Sequence, residues 1–234
     1  MKKVALITGA SSGIGRCLSI SLASNGFYSI MASRDLSKLK AVKSIIDANG
    51  DSSLAVELDI CDENSVRRLY STVSDVGTPD IIINNAGVGI FSSTDEISIQ
   101  DWNNQIDTNL TGPFLIVREF ISDMKKRSSG TLVFINSVAG RYGYPFSQGY
   151  VSSKFGLRGL ADSLRNELRE NNIKVISIYP GAINTPFWDK SKSNFPREEM
   201  LSSESVSKVI ISNILSEGNL VVEDMIIRRT EGDF

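Results

Sequence analysis

Short apolar runs alternate with amphipathic stretches along the 234-residue chain, and this alternation restricts the fold more than any other feature. The apolar runs are continuous, as in Ile81–Ile83, which is typical of parallel strands covered by helices on both faces. The predicted strands are Lys3–Thr8, Tyr28–Ser33, Ser53–Leu58, Asp80–Asn84, Gly130–Asn136, Lys174–Tyr179 and Leu220–Ile226. The predicted helices are Ile14–Ser24, Leu36–Asn49, Glu63–Val76, Ile99–Arg127, Gln148–Asn171 and Glu204–Glu217. We therefore predict one α/β domain over 1–234, with a doubly wound, mostly parallel seven-stranded sheet.

The composition excludes several classes of protein. There is no histidine, so a Ser-His-Asp triad, an imidazole metal site and an imidazole general base are impossible. The formal net charge of −2 argues against a nucleic-acid partner or an anionic membrane surface. The apolar run Val4–Ile7 is too short for a signal peptide, and no run approaches the ~20 residues of a membrane span. We expect a cytoplasmic protein without a metal, in which Cys17 and Cys61 are reduced core thiols.

A glycine-rich turn directly follows the first predicted strand and opens the first predicted helix. It reads Thr8-Gly9-Ala10-Ser11-Ser12-Gly13-Ile14-Gly15, with the spacing G-x-x-x-G-x-G. Glycines allow a sharp turn and a close approach to a ligand, and the free N–H groups of a helix N-terminus attract a pyrophosphate. The turn therefore predicts dinucleotide binding, and the alternative is a tight turn with no ligand.

The end of the second strand indicates which dinucleotide binds, because it meets the adenosine ribose in folds of this kind. The strand ends in Ser33-Arg34-Asp35. Ser33 can donate to a 2′-phosphate and Arg34 can pair with it, which favours NADP(H) and leaves NAD(H) possible. The alternative is that Arg34 is solvated and Asp35 caps the next helix.

Three residues suit proton transfer in a chain without histidine. Tyr150 and Lys154 lie four residues apart in a predicted helix, so they share one face. A tyrosine is a poor acid–base group at neutral pH, and a nearby ammonium lowers its pKa by favouring the phenolate. Ser137 follows a strand whose carboxyl end faces the ligand crevice, so its hydroxyl can bond a substrate oxygen. A Tyr/Lys pair alone is more often a surface pair, so the interpretation depends on its coincidence with the glycine-rich turn.

Together these motifs make the sequence similar to the short-chain dehydrogenase/reductase family over essentially its whole length. The glycine-rich turn resembles the family's cofactor loop, and Asn109, Ser137, Tyr150 and Lys154 match its catalytic tetrad. The other matching positions are Asn84-Asn85-Ala86-Gly87 after the fourth strand, Ser153 in the Y-x-x-S-K form, Asp59-Ile60 beside the adenine, and Pro180-Gly181 with Thr185 beside the nicotinamide.

The resemblance implies a Rossmann-type fold and an NAD(P)(H)-dependent oxidoreductase that transfers a hydride between nicotinamide and a carbonyl or alcohol. Tyr150 is then the general acid or base, and Lys154 lowers its pKa and holds the nicotinamide ribose. Ser137 orients the substrate oxygen, and Asn109 anchors a water that links Lys154 to solvent. The implied cofactor-binding residues are Gly9, Ser11, Ser12, Gly13, Ile14, Gly15, Ser33, Arg34, Asp59, Ile60, Asn85, Ala86, Gly87, Tyr150, Lys154, Pro180, Gly181, Ile183 and Thr185.

One position departs from the family's pattern. Ser12 stands where NADP-preferring members often carry a basic residue, so the preference for NADP(H) depends on Arg34 alone.

Two segments are expected to wall the substrate pocket, namely 138–146 and an irregular loop at about 186–200. Both are rich in aromatic residues, which favours a small or apolar carbonyl substrate. The aromatic residues are Tyr142, Tyr144, Phe146, Phe187, Trp188 and Phe195. Arg141 could engage a substrate carboxylate, and the simpler interpretation is a solvated arginine.

Two further expectations concern partners and an alternative function. The strand Leu220–Ile226 and the helix face with Val151, Phe155 and Leu160 indicate subunit packing, and the resemblance implies a homodimer or homotetramer. The alternative function is a redox-sensing regulatory protein that binds the dinucleotide without catalysis. A nucleotide-sugar epimerase is disfavoured by the spacing of the glycine-rich turn.

Overall fold

A computed structural model describes residues 2–190, 195–216, 218 and 220–232. The strands are β1 (Val4–Thr8), β2 (Tyr28–Ser33), β3 (Ser53–Glu57), β4 (Ile81–Asn84), β5 (Gly130–Ile135), β6 (Ile173–Pro180), β7 (Ile183–Asn184), β8 (Leu201–Ser202) and β9 (Asp224–Ile227). The helices are α1 (Gly13–Ser24), α2 (Leu36–Ala48), α3 (Glu63–Ser74), α4 (Ile99–Ile106), α5 (Gly112–Arg127), α6 (Gln148–Leu168) and α7 (Ser203–Ile214). Short 3-10 turns cover Val138–Gly140, Arg169–Asn171, Pro186–Lys190 and Arg197–Glu199.

Seven of the strands form one parallel sheet in the order β3-β2-β1-β4-β5-β6-β9, while β7 and β8 pair separately. The strand order reverses direction between β1 and β4, which opens a crevice at their carboxyl ends. The α/β fold with a seven-stranded sheet and helices on both faces is therefore confirmed.

Each face of the sheet carries its own apolar core. Leu6 and Ile7 are adjacent in β1, yet they belong to opposite cores, because successive side chains of a strand point to opposite faces. Helices α1, α2 and α7 contribute to the core of Ile7, and α3, α5 and α6 to the core of Leu6. Burial on both faces explains why the strands read as continuous apolar runs.

The predicted helix Ile99–Arg127 is helical throughout but contains a π-helical turn at Asp107–Thr111. Pro113 has no N–H, so it cannot donate to the Asn109 carbonyl as the α-helical pattern requires. In the π-helical turn, the Gly112 amide donates to the Asp107 carbonyl, five residues earlier. The sequence analysis did not anticipate this turn, which brings Asn109 into the crevice.

Two predicted boundaries near the C-terminal end need correction. The last strand begins at Asp224 rather than Leu220, because the Leu220 carbonyl accepts from the Lys174 ammonium instead of joining the ladder. Helix α7 ends at Ile214, and the predicted end at Glu217 lies outside the described residues. The predicted loop at 186–200 contains two 3-10 turns, and its residues 191–194 also lie outside the described residues.

Both cysteines are free thiols, but only one is in the core. Cys17 is buried, whereas Cys61 is exposed in the turn before α3, so the prediction of two core thiols is wrong for Cys61. Among the helices described here, none is long and apolar enough to cross a membrane.

Candidate active site

The glycine-rich turn after β1 is locked to the end of β4. The buried Thr8 hydroxyl accepts from the amides of Asn85 and Ala86, both at 3.1 Å, and the Asn85 side chain donates to the Gly9 carbonyl at 3.1 Å. Gly9 has a φ of +63°, and a Cβ there would lie 2.8 Å from the Ala86 Cα. A side chain at residue 9 is therefore excluded both by backbone conformation and by space.

The N-terminus of α1 is suited to an anionic group. The N-cap Ser12 makes no side-chain capping bond, whereas α2, α3, α4 and α7 are capped by Asp35, Asp62, Ser98 and Ser202. A cavity of about 280 Å³ opens beside this helix end and is lined in part by Ser11, Ser12, Gly13 and Arg16. Free helix N–H groups facing such a cavity fit the pyrophosphate of a dinucleotide.

The adenosine end of the crevice carries an available cation. Arg34 is exposed, and no ion pair or hydrogen bond of its side chain is found within the described parts of the chain. Asp35 caps α2 by accepting from the Lys38 amide at 3.0 Å, and Ser33 accepts from the Asp35 amide at 3.3 Å. Asp59 accepts from the Cys61 amide at 3.0 Å, and Ile60 is buried. These predicted residues thus lie together at the ends of β2 and β3. Asp35 caps α2, which was the alternative interpretation of this residue in the sequence analysis.

The turn after β6 reaches back to the glycine-rich turn. A Cβ on Gly13 would lie 2.9 Å from Cγ2 of Thr185, so the two turns are in direct contact. Ile183 is buried, and the Gly181 amide donates to the Ile227 carbonyl of β9 at 2.8 Å, immediately after Pro180. The predicted nicotinamide turn therefore packs directly against the glycine-rich turn.

Asn109 clamps the loop after β4 onto the catalytic helix. Its buried side chain accepts from the Val88 amide and donates to the Val88 carbonyl, both at 2.8 Å, and donates to the Ser153 hydroxyl at 2.9 Å. Ser153 in turn donates to the Tyr150 carbonyl at 2.8 Å. The amide oxygen and both amide hydrogens of the Asn109 side chain are thus engaged, and the expected water at this residue stays a prediction.

Tyr150, Lys154 and Ser137 converge at the carboxyl ends of β4 and β5. The Lys154 ammonium lies 5.8 Å from the centroid of the Tyr150 ring and donates to the Ile135 carbonyl at 3.0 Å. The Ser137 hydroxyl accepts from the Ala139 amide at 3.1 Å, and this side chain acts to lower the pKa of Tyr150. Tyr150 and Lys154 share one face of α6, as their spacing predicts.

Burial dominates the proton equilibria at this site. It raises the pKa of Tyr150 to about 12, with the Ser137 hydrogen bond opposing the rise. It also lowers the pKa of Lys154 from 10.5 to about 8. The shift of the Tyr150 pKa comes from burial and from Ser137, while the Lys154 ammonium is bound to the Ile135 carbonyl, so the expected lowering of this pKa by Lys154 stays a prediction.

Aromatic rings form one wall beside Tyr150. The Phe187 centroid lies 5.5 Å from that of Tyr150, and Trp188 follows at 5.3 Å from Phe187, with Phe195 a further 5.5 Å from Trp188. Phe91 completes the wall at 5.8 Å from both Tyr150 and Trp188. Sequence reasoning missed Phe91, although its place in the loop after the β4 motif was a usable signal.

The other predicted wall, 138–146, differs from expectation. Arg141 stacks its guanidinium 4.5 Å from the Tyr179 ring centroid and forms an ion pair with Asp224, so it is neither solvated nor open to a substrate carboxylate. Tyr142 and Phe146 are 46% and 61% exposed, respectively. Tyr144 is half-buried. On this side, the rings of Tyr142 and Phe146 lie at the surface.

The face of α6 that was expected to pack against another subunit is exposed at one residue and packed against the chain's own core at another. Phe155 is 42% exposed, whereas Leu160 packs against the apolar core between the sheet and α6. Val151 is half-buried.

This geometry defines a dinucleotide-binding oxidoreductase, and comparison with known proteins gives the family. The sequence profile described as short chain dehydrogenase matches residues 3–195. The chain belongs to the short-chain dehydrogenase/reductase family and is an NAD(P)-dependent oxidoreductase.

Relatives of known name differ in substrate. A sepiapterin reductase of Chlorobaculum tepidum is 32% identical over 241 residues, covering 100% of this chain and 98% of that protein. A 3-oxoacyl-[acyl-carrier-protein] reductase of Staphylococcus aureus is 34% identical over 204 residues, covering 86% of this chain and 82% of that protein. Among solved structures, an alcohol dehydrogenase of Thermococcus sibiricus complexed with 5-hydroxy-NADP is 26% identical, with a TM-score of 0.90 and 97% of each chain covered.

Proposed function

We propose that this chain is one catalytic and cofactor-binding domain that prefers NADP(H) and reduces a small or apolar carbonyl compound to an alcohol. The observation that carries the proposal is the convergence of Tyr150, Ser137 and Lys154 beside the uncapped N-terminus of α1 and the aromatic wall. The relatives named as reductases, one of them of a 3-oxo compound, favour the same direction of reaction.

The protein's own residues orient the substrate and move the proton. Tyr150 donates the proton to the carbonyl oxygen, and Ser137 donates a hydrogen bond to that same oxygen. Lys154 holds the ribose hydroxyls of the nicotinamide half, and the N–H groups of α1 hold the pyrophosphate. The nicotinamide, when bound, supplies the hydride.

The proton equilibria support reduction. A phenol whose pKa is raised to about 12 is protonated at neutral pH, so Tyr150 is ready to donate. Lys154, with its pKa lowered to about 8, still carries most of its charge at pH 7.

Arg34 supports the preference for NADP(H). It is an exposed cation beside Ser33 at the ribose end of the crevice, and a 2′-phosphate would give it a charge-assisted partner. We expect Arg34→Ala to lower the ratio of kcat/KM with NADPH to that with NADH by about 10- to 100-fold, since such bonds contribute about 1.5–3 kcal/mol. The exposed arginine on α3 gives the matched control, Arg68→Ala, which should leave the ratio unchanged.

The test of the activity follows NADPH oxidation by its near-ultraviolet absorbance against a panel of aldehydes, ketones and diketones. Wild type should turn over carbonyls bearing apolar or ring groups, and Tyr150→Phe should not. The exposed Tyr142 gives the control variant Tyr142→Phe, which should stay active. Turnover that survives Tyr150→Phe would refute the acid role, and NADPH binding without turnover on any carbonyl would favour the redox-sensing regulator.

We also propose a homodimer or homotetramer in the cytoplasm. The exposed Phe155 on α6 and the free thiols of Cys17 and Cys61 support these assignments. Light scattering after gel filtration tests the assembly, and a monomer at micromolar concentration would contradict it.

A further inference from the structure

Asn136 is a buried polar residue between the turn that carries Ser137 and helix α6, and it lies outside the proposed set of reacting residues. It follows β5 directly and is only 4% exposed. A buried amide of this kind is retained only where its donor and acceptor groups find partners, because leaving them unpaired is costly.

The amide of Asn136 bonds the backbone on both sides of the site. Its Nδ2 donates to the Lys154 carbonyl at 3.1 Å, and its Oδ1 accepts from the Ser137 amide at 2.9 Å. One planar group of fixed length therefore joins the turn that carries Ser137 to helix α6, which carries Tyr150 and Lys154.

The surroundings leave this amide no freedom to swing. A Cβ on Gly140 would lie 2.9 Å from the Asn136 Cγ and 2.9 Å from the Lys154 carbonyl oxygen, and it would overlap the Asn136 Oδ1. The backbone of Asn136 is held as well, since its amide donates to the Ile178 carbonyl at 2.8 Å.

The neighbouring residue adds a second link to the same lysine. The Lys154 ammonium donates to the Ile135 carbonyl at 3.0 Å, while the Lys154 carbonyl is held by Asn136. The ammonium and the main-chain carbonyl of Lys154 are thus hydrogen-bonded to two consecutive residues, Ile135 and Asn136, at the end of β5. These two hydrogen bonds set the distance between Ser137 and α6.

We propose that Asn136 is a positioning residue that sets the placement of Ser137 relative to Tyr150 and Lys154, an inference that rests on the proposed reductase function. Asn136 touches no reacting atom. It acts by holding two backbone groups, so its loss should affect turnover far more than cofactor binding.

Two substitutions separate the two bonds. Asn136→Ala removes both, and Asn136→Asp keeps an acceptor for the Ser137 amide while losing the donor to Lys154. We expect kcat to fall by about 10- to 100-fold in Asn136→Ala and by a smaller factor in Asn136→Asp, with the NADPH Kd within about threefold of wild type in both.

The matched control is Asn213→Ala in α7, because Asn213 is also a buried asparagine and its side chain has no hydrogen-bond partner in the described chain. A kcat for Asn136→Ala within twofold of this control would overturn the proposal. So would a loss of kcat that tracks the free energy of unfolding across the three variants.

A measurement without turnover separates this proposal from the proposed function. Hydrogen exchange of the Ser137 amide should accelerate about tenfold or more in Asn136→Ala and stay near the wild-type rate in Asn136→Asp. If wild type reduces no carbonyl, the reductase assignment fails, and the exchange rates alone decide whether Asn136 holds the turn. Equal rates in all variants would overturn the holding role.

Discussion

The glycine-rich turn and the aromatic wall are two parts of the candidate site that are built in different ways. The turn, Gly9 to Gly15, is shaped by positive φ angles at Gly9 and Gly13 and by bonds from Thr8 and Asn85. The wall consists of rings from separate loops that pack against each other and against Tyr150.

This difference in construction indicates that cofactor binding and substrate preference can vary independently of each other. The group proposed to bind at the turn is common to all dinucleotides and would be held by backbone geometry, so we expect the turn to tolerate few replacements. Ring packing in the wall is adaptable, since apolar contacts depend on size and shape rather than on fixed donors. The named relatives, which are similar to this chain in sequence and are named for reductions of different compounds, are consistent with this division. Of the four predictions below, three ask whether a change made in one part leaves the other unaffected, and one tests the burial of Lys154.

The largest effect is expected from removing the Ser137 hydroxyl. Ser137→Ala should lower kcat by about 10²–10³-fold, because it removes one donor to the oxygen on which charge develops. The NADPH Kd, measured by fluorescence titration, should stay unchanged. The exposed Ser152 on α6 provides the control Ser152→Ala. A Kd that rises together with the loss of kcat would show that the two sides are not separable.

A pH-dependent effect on stability is expected at Lys154. Its pKa is lowered from 10.5 to about 8, so between these values the unfolded chain holds a proton that the folded chain lacks, and stability rises with pH. Relative to Lys154→Met, the free energy of unfolding of wild type should therefore increase by about 2–3 kcal/mol from pH 7 to pH 10.

Urea unfolding at several pH values measures the Lys154 effect. Lys43 on α2 pairs with Asp47 at the surface and gives the control variant Lys43→Met, whose difference from wild type should not rise in this way. Parallel pH curves for wild type and Lys154→Met would contradict the burial of the charged group.

A smaller effect is expected from the phosphate side. Gly9→Ala places a Cβ 2.8 Å from the Ala86 Cα, so the NADPH Kd should rise about tenfold while the carbonyl KM stays near wild type. Gly50→Ala is the control, because Gly50 has a φ of +79° with nothing within 4 Å. Both variants place an alanine at a positive φ and so strain the backbone, but only Gly9→Ala brings the new Cβ into overlap with Ala86. Equal Kd values for the two would remove close packing as the cause.

The smallest effect is expected from the aromatic wall. Phe91→Leu should raise the KM of ring-bearing carbonyls by about three- to fivefold, since an aromatic pair contributes about 0.5–1.5 kcal/mol beyond its area. The NADPH Kd should not change, and Phe114→Leu, at an exposed position on α5, should change neither constant. A KM that is insensitive to Phe91→Leu would mean that the wall does not contact substrate.

Much of the cofactor side could be predicted because its signals are local. Thr8 to Gly15 form one short segment whose conformation follows from glycine spacing, and Tyr150 and Lys154 meet because a helix brings residues four apart onto one face. The pKa of Tyr150 could not be predicted in the same way. Its rise to about 12 depends on how deeply the fold buries the phenol, a property that no short sequence pattern encodes.

The aromatic wall and the segment 138–146 show most clearly what could not be predicted from the sequence. Phe91 and Trp188 stack at 5.8 Å although 97 positions separate them, and Arg141 turns to Asp224 rather than to the crevice. No periodicity in the sequence encodes such pairings.

The amino-acid sequence by itself determined the order of strands and helices, the glycine-rich turn after β1 and the common helix face of Tyr150 and Lys154, because these depend on short-range spacing and on hydrophobic periodicity. Only the tertiary structure decided the proton affinities, the π-helical presentation of Asn109 and the partners of Arg141 and Asn136. Those properties arise from burial and from contacts between distant segments, and both exist only after the chain has folded.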